Sequence, residues 1–574
     1  MFRLKKISTV IIIVTLLIQN CSVKSDLLWY ILTCVATIRL ILHLVTYDYD
    51  YWERRGIFSP PASPVVGHIA SVAALKEQGG MCFKRIYDEH KDKRFLGTHQ
   101  FFQRTLVVCD PDLIKRMCVN DFQHFTDRGF FFNKDTDPLA ESVLFLRGSE
   151  WKRLRSKISP IFSPNKLRGM FPILENTANE FVLRVKKRAM RDNLNVDNHK
   201  ENHSLNNPDD KFSNITKLQT ETDANNNDAQ SFNGKLNANN NRESETKLYA
   251  NKDSIAIDNS VELDAEKLVG GYTADAIVPC AFGLKSNVMD NPQDPFAVAL
   301  HAFYEMSWFN IFEKTMRQFW PAFVLFFKIR IIPKKTHDFF YNIVTKVLKD
   351  RSTRVQEKRG DFIDMMMALQ SEDKVDEEND YNITDMIISA NAFIIFLGGF
   401  ETTSSTLAFL FLELSAHPQV QEKMRTEIRE VLEKNETLRL YPPFPTIQRM
   451  CTNDYTIPDT SAVVEKGTIV LFPTLGVQRD EQYFEGASQF IPERWSETSS
   501  LPRPGVYMPF GDGPRYCIGK RFAIIQMKCC LARLLPHINI RPIEGQKRLG
   551  PFKADPFCQM TLHPADSRVI ISLL

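Results

Sequence analysis

The chain has 574 residues and a formal net charge of +3, which excludes the strongly basic footprint of a nucleic-acid binder. Its 11 cysteines are odd in number and scattered, with no CxxC pair. They exclude a disulfide framework and point to reduced thiols, while 43% hydrophobic residues are enough for a large buried core.

Two apolar segments open the chain. Ile7 to Ile18 follows Arg3, Lys5 and Lys6, is short for a span, and reads as the apolar part of a signal peptide. LLWYILTCVATIRLILHLV, from Leu27 to Val45, is long enough to cross a bilayer, although Arg39 and His43 interrupt it. A leader followed by a buried helix is the other reading of this pair. Arg54 and Arg55 follow at once and hold that side in the cytosol. Residues 1–57 are therefore predicted to be leader and membrane anchor. Residues 58–67, containing SPPASPVVG, form a stiff hinge because Pro60, Pro61 and Pro64 fix φ and remove donors.

From residue 68 to 574 the pattern is mostly helical. Residues 171–189, 295–312 and 383–416 carry apolar residues at helical spacing. The last of these is apolar on nearly all sides, as a central helix of a large core is. TLVVCD (105–110) and TIVLFP (468–473) read as short strands. Residues 192–259 are Asn-rich, nearly free of aromatics, and predicted to be a disordered insert. Its sequons at Asn202 and Asn214 would stay unmodified in the cytosol.

The chemistry-bearing stretch is FGDGPRYCIG, residues 510–519, which opens onto an apolar helix. Taken alone, a cysteine is most often a small buried hydrophobe. Here Phe510, Gly513, Arg515, Cys517 and Gly519 stand in the spacing FxxGxRxCxG. A loop entering a helix N-terminus supplies N–H groups and positive potential to a thiolate. Glycines let the backbone pass close to a flat cofactor, and Arg515 suits an anionic group on it.

These residues resemble the cytochrome P-450 superfamily. The resemblance implies a mainly α fold with small β-sheets, the haem-thiolate fold, preceded by a membrane anchor. It implies heme b (iron protoporphyrin IX) as cofactor, with Cys517 as axial iron ligand. GGFETT (398–403) matches the family's central-helix element. There Glu401 and Thr402 are expected to relay protons beside an opened helical turn. ETLR (436–439) matches the ExxR helix, whose Glu436 and Arg439 pair with Arg494 of FIPERW; buried, such a network serves structure and must be complete. WKRLR (151–155) matches WxxxR. Trp151, Arg155, Arg449 and Arg515 are then expected on the haem propionates. Lys152, Arg153 and Lys157 form a basic face where the family docks an acidic electron donor. YWERRGI, FQHFTDRG, EWKRLRSKISPIFSPNKLRGMF and ADAIVPCAFG resemble insect microsomal members of the xenobiotic-oxidising clan.

The function implied is a monooxygenase of the endoplasmic reticulum membrane. It inserts one oxygen atom of O2 into apolar xenobiotics, lipids or hormones. Its electrons come from NADPH-cytochrome P-450 reductase, with cytochrome b5 as a further donor. A haem-thiolate isomerase or dehydratase acting on peroxides is the alternative, although such enzymes often lack the acid–threonine pair. Residues 139–145, 303–312, 395–396 and 444–447 are candidates to line a substrate pocket, against a reading as plain core. Two departures stand out. One is the Asn-rich insert. The other is the link before ExxR: Glu436 follows Thr402 after only 34 positions, so part of the family's helix pair looks missing. A catalytically impaired variant lacking part of that helix is the remaining reading.

Overall fold

The structure, a computed structural model, describes residues 34–40, 43, 46–201, 260–304, 325–353, 359–373, 382–426, 436–496, 502–543 and 552–574. The apolar segment Ile7–Ile18, the insert from 202 to 259, pocket candidates 305–312 and the link at 427–435 lie outside these residues. Of the second apolar segment, residues 34–40 are helical, and Val35, Ile38 and Leu40 are exposed.

The principal helices in chain order are α1 (Gly79–His90), α2 (Gly148–Ile158), α3 (Pro164–Glu201), α4 (Ala265–Phe282), α5 (Pro295–Tyr304) and α6 (Lys334–Thr353). There follow α7 (Phe362–Asp373), α8 (Asp385–Ala416), α9 (Pro418–Thr426), the short α10 (Glu436–Leu440) and α11 (Lys520–Leu534). Among the described residues, nine short strands make three sheets. In the largest, β1 (Phe95–Gln100), β2 (Gln103–Val108), β7 (Ile469–Phe472) and β4 (Ile447–Met450) lie in that order. The pair β2–β7 is parallel and its neighbours are antiparallel. A second sheet orders β3 (Ser260–Asp264), β9 (Arg568–Leu573) and β8 (Ile538–Arg541); β5 (Tyr455–Thr456) pairs with β6 (Val463–Val464). The fold is mainly helical with small sheets, as expected.

α8 is the axis of the molecule. Thr384 caps it, its hydroxyl accepting from the Ile387 N–H at 3.2 Å. Its polar residues are accommodated by bonding back one turn. Ser389 donates to the Asp385 carbonyl at 2.7 Å, Asn391 to Ile387 at 2.7 Å, and Thr402 to Gly398 at 2.7 Å. Length and hydropathy alone would let α8 cross a membrane, but half of that apolar stretch is buried against other helices, so it is a core helix. It crosses α4 closely: a Cβ added at Gly399 would come within 2.9 Å of Ile277.

α3 starts before the predicted helix and continues to Glu201, into the segment expected to be irregular from residue 192. Once a helix is nucleated each further residue costs little, so polar residues follow an established helix. Predicted strands 105–110 and 468–473 are β2, shifted two residues toward the N-terminus, and β7, one residue shorter at each end.

The candidate cofactor site

The Cys loop is shaped by its glycines. Gly511 and Gly513 have φ of +72° and +67°, conformations that glycine adopts without a Cβ penalty. At Gly513 a Cβ would also lie 1.8 Å from the Cys118 carbonyl oxygen, in the wide turn Arg116–Asn120, so no side chain fits. Gly519 differs. Its φ is −87°, and an added methyl would merely touch the Cys517 sulfur at 4.0 Å. Its position counts for another reason, since it caps α11 and places Cys517 at a helix N-terminus. The loop closes as the Cys517 N–H donates to the Phe510 carbonyl at 2.8 Å. Burial pushes the Cys517 thiol up, while the Gly519 N–H and the charges of Arg128, Arg155 and Lys520 pull it down.

Guanidinium groups gather beside this loop. Arg515 is 2% exposed; its Nε donates to the Thr126 carbonyl at 2.7 Å and its Nη2 to Leu146 at 3.0 Å. Its guanidinium lies 3.8 Å above the Trp151 ring, a cation–π contact that places Trp151 beneath Arg515. Arg155, one turn along α2, donates to the Tyr516 carbonyl at 2.9 Å. Arg449, on β4, is 3% exposed. A fourth member, Arg128, was not singled out in the sequence. It donates to the carbonyls of Leu144 at 3.2 Å and Arg515 at 2.9 Å. Its signal was a lone basic residue in FTDRGFFF, among aromatics where a charge needs a purpose.

Burial and mutual repulsion push Arg515 down to about 8 and Arg128 down to about 9; Asp127, 3.5 Å from Arg515, opposes this only in part. Among the described residues, the Nη1 of Arg515 and the Nε of Arg449 are buried with no hydrogen-bond partner. Buried guanidinium atoms without acceptors, in a cluster of like charge, are costly unless an anion completes them. A haem fits: its propionates answer the guanidinium cluster and its iron answers the thiol.

On α8, Glu401 and Thr402 are adjacent but do not face one another. The Thr402 hydroxyl bonds within the helix, to the Gly398 carbonyl. Glu401 instead accepts from the Thr561 hydroxyl at 2.6 Å and stands 3.5 Å from His563 Nε2. Neighbouring helix positions point apart, so the sequence pair ET does not by itself make a contact.

The ExxR residues form a separate, fully partnered cluster. Arg439 holds Glu436 in a fork, Nε to Oε2 at 3.0 Å and Nη2 to Oε1 at 2.6 Å. Its remaining N–H groups reach the carbonyls of Gln478, Ala487 and Gln489. Glu436 also accepts from the Ile491 N–H at 3.2 Å and stands 3.5 Å from Arg494 Nε. Trp495, which the motif reading passed over, adds an indole N–H at 2.8 Å. Gln478 ties this cluster to the Cys loop: its amide N–H donates to the carbonyls of Leu438 and Arg439, and its oxygen accepts from the Met508 N–H at 2.8 Å. A cavity of about 320 Å³ lies between the two, lined by Glu436, Thr437, Phe510, Gly511, Lys520 and Lys528 among others. Phe510 and Gly511 of the Cys loop line it, whereas Cys517 and Thr402 do not. Of the pocket candidates, Leu139, Ala140 and Phe396 are completely buried and serve as core.

Comparison with known proteins identifies the family. The cytochrome P450 family matches residues 58–208 and 226–568. The chain is 28% identical over 549 residues to cytochrome P450 6j1 of Blattella germanica, covering 92% of this chain and 94% of that one. It is 28% identical over 530 residues to probable cytochrome P450 6a23 of Drosophila melanogaster, covering 88% and 92%. To cytochrome P450 6B2 of Helicoverpa armigera it is 25% identical over 530 residues, covering 88% and 90%.

Proposed function

The chain belongs to the cytochrome P450 family and is a haem-thiolate monooxygenase; from that premise we propose that it oxidises apolar small molecules at the endoplasmic reticulum membrane, using NADPH-derived electrons. The haem is heme b, held by Cys517, with Trp151, Arg128, Arg155, Arg449 and Arg515 securing its propionate edge. The observation that carries this reading is the pair of buried, unpartnered guanidinium atoms on Arg515 and Arg449 beside a thiol at a helix N-terminus. When bound, haem supplies the chemistry of dioxygen activation, and thiolate ligation favours O–O cleavage.

The protein's own groups do the rest. Cys517 is held by its N–H on Phe510 and by the glycine turns, so its sulfur needs no reorganisation. Arg515 is fixed by two carbonyls and by Trp151, and presents its free Nη1 to an acceptor. The turn expected to open is continuous α-helix in the structure, and Thr402, whose hydroxyl donates to the Gly398 carbonyl inside α8, is its proton-handling hydroxyl. Residues 1–57 anchor the chain, 58–67 form the hinge, and 68–574 the catalytic domain. NADPH-cytochrome P450 reductase, with cytochrome b5 beside it, docks on the face bearing exposed Lys152 and Arg153. Complete hydrogen bonding around Glu436 favours an active enzyme over an impaired one.

The reduced protein under carbon monoxide is expected to show the thiolate-type Soret shift, and Cys517→Ser to lose it. A wild-type spectrum without the shift would sink this assignment. NADPH-independent turnover of an organic hydroperoxide, with no NADPH oxidation, would favour the isomerase instead.

A further inference from the structure

The C-terminal stretch Thr561–His563 lies against α8, pinned there by the Ser405 hydroxyl on the Leu562 carbonyl and by the Leu562 N–H on the Pro443 carbonyl at 2.9 Å. His563 is 6% exposed. One ring nitrogen, Nδ1, is hydrogen-bonded to the Glu266 carboxylate at the start of α4. The other, Nε2, lies 3.0 Å from the Thr561 hydroxyl and 3.5 Å from Glu401. The Thr561 hydroxyl in turn donates to Glu401 at 2.6 Å. The imidazole thus sits between two carboxylates from two different helices, and Glu266 is 31% exposed at its side chain.

A continuous set of hydrogen bonds therefore runs from a solvent-reached carboxylate to the acid of the GGFETT turn. We propose that His563 is the proton store of this enzyme, taking protons from solvent through Glu266 and passing them through Thr561 to Glu401. The proposal rests on the monooxygenase reading of the site. Both ring nitrogens have acceptors, so the charged form of the ring is satisfied on each side. Hydrogen bonds to Glu266 and Glu401 raise the imidazole to about 10 against the opposing effect of burial, so it is charged at neutral pH. Other titratable groups in the neighbourhood are Asp264, bonded to Ser567 and Lys267, and Cys558 beside Asp555. The Cys558 thiol is pushed up by burial and by the charges of Asp555, Glu401 and Glu266, so it stays neutral.

Each delivery balances. The Thr561 O–H proton moves to Glu401 as the Nε2–H proton moves to the Thr561 oxygen, leaving a neutral ring that keeps its Nδ1 proton. A proton that Glu266 draws from water then reaches the bare nitrogen and restores the charged ring. Full reduction of one dioxygen to two waters takes four electrons from NADPH and four protons from solvent. Reduction to hydrogen peroxide takes two of each, so slow proton supply shifts the product toward peroxide.

The test uses the full-length holoprotein with NADPH-cytochrome P450 reductase, and His563→Gln and Glu266→Gln. Oxygen uptake, peroxide and NADPH loss are measured in H2O and D2O. The expectation is an unchanged carbon monoxide spectrum, roughly tenfold less oxygen reaching water, the low end for a positioned proton donor, a larger share of peroxide and a larger solvent isotope effect. NMR of ring-labelled histidine in the diamagnetic ferrous carbon monoxide complex should show His563 protonated at pH 7.5. Normal water yield and isotope effect in both variants, or a neutral His563, would overturn the proposal. Loss of the carbon monoxide spectrum from the wild type would instead overturn the haem reading. If His563→Gln fails to fold, Glu266→Gln and the wild-type histidine titration still decide.

Discussion

Glu436 and Glu401 are both carboxylates set into the protein, and their partners differ in kind. Glu436 meets two guanidinium groups, an indole N–H and a backbone N–H, none of which gives up a proton at physiological pH. Glu401 meets a hydroxyl and an imidazole, both of which exchange protons. The first arrangement freezes a charge so that it braces a structure. The second places exchangeable protons next to the GGFETT turn. The two acids thus differ in their partners, and in burial, Glu436 being fully buried and Glu401 only partly so.

The strongest way to break the contrast is Glu436→Ala. It leaves Arg439 buried without its counter-charge and is expected to cost about 3–5 kcal/mol. The readout is loss of haem-containing protein and a lower denaturation midpoint. Gln478→Leu strands two carbonyls and the Met508 N–H and should cost about 2–3 kcal/mol. That loss would appear as a lower Tm with haem still bound. Arg128→Ala spares both carboxylates. It should weaken haem retention roughly tenfold, the value of one hydrogen bond to a charged group, measured by haem transfer to an acceptor protein.

The smallest effect is a pH dependence confined to the Glu401 side. His563 has its folded value raised to about 10, above the ordinary imidazole value, so its stabilisation is complete below about pH 6.5. It is lost progressively as pH rises toward 10, because the folded state then gives up the proton that it held more tightly than the unfolded chain. Wild-type Tm is expected to fall by a few degrees across that window. His563→Gln should flatten the curve, whereas Arg494→Lys, on the Glu436 side, should leave its slope unchanged.

Much of the fold was legible because its signals are local. α8 announced itself by length and apolarity, and β2 and β7 by short apolar runs. The Cys loop was legible because five positions constrain one another within ten residues. Arg128 was missed since its meaning depends on Arg449 and Arg515, hundreds of residues away. His563 was missed for a like reason: a single histidine near the C-terminus carries no pattern, and its two carboxylates come from α4 and α8. Glu401 and Thr402 read as a proton-handling pair, and helix geometry gives their side chains different partners. Conversely the region around Glu436, where the motif follows a shortened link, has its side-chain network complete.

The Gln478 amide has a kinetic consequence. Arg439 finds its carbonyl partners 39 to 50 residues downstream, and Met508 docks on Gln478 from 30 residues further along. Contacts at such separations close slowly, since chain entropy is spent before they form. The loop that presents Cys517 is pinned at Met508 and takes its shape after the 436–495 segment has closed. Capture of the prosthetic group is therefore expected to follow closure of the 436–495 segment, which the time course of haem uptake by the refolding chain would show.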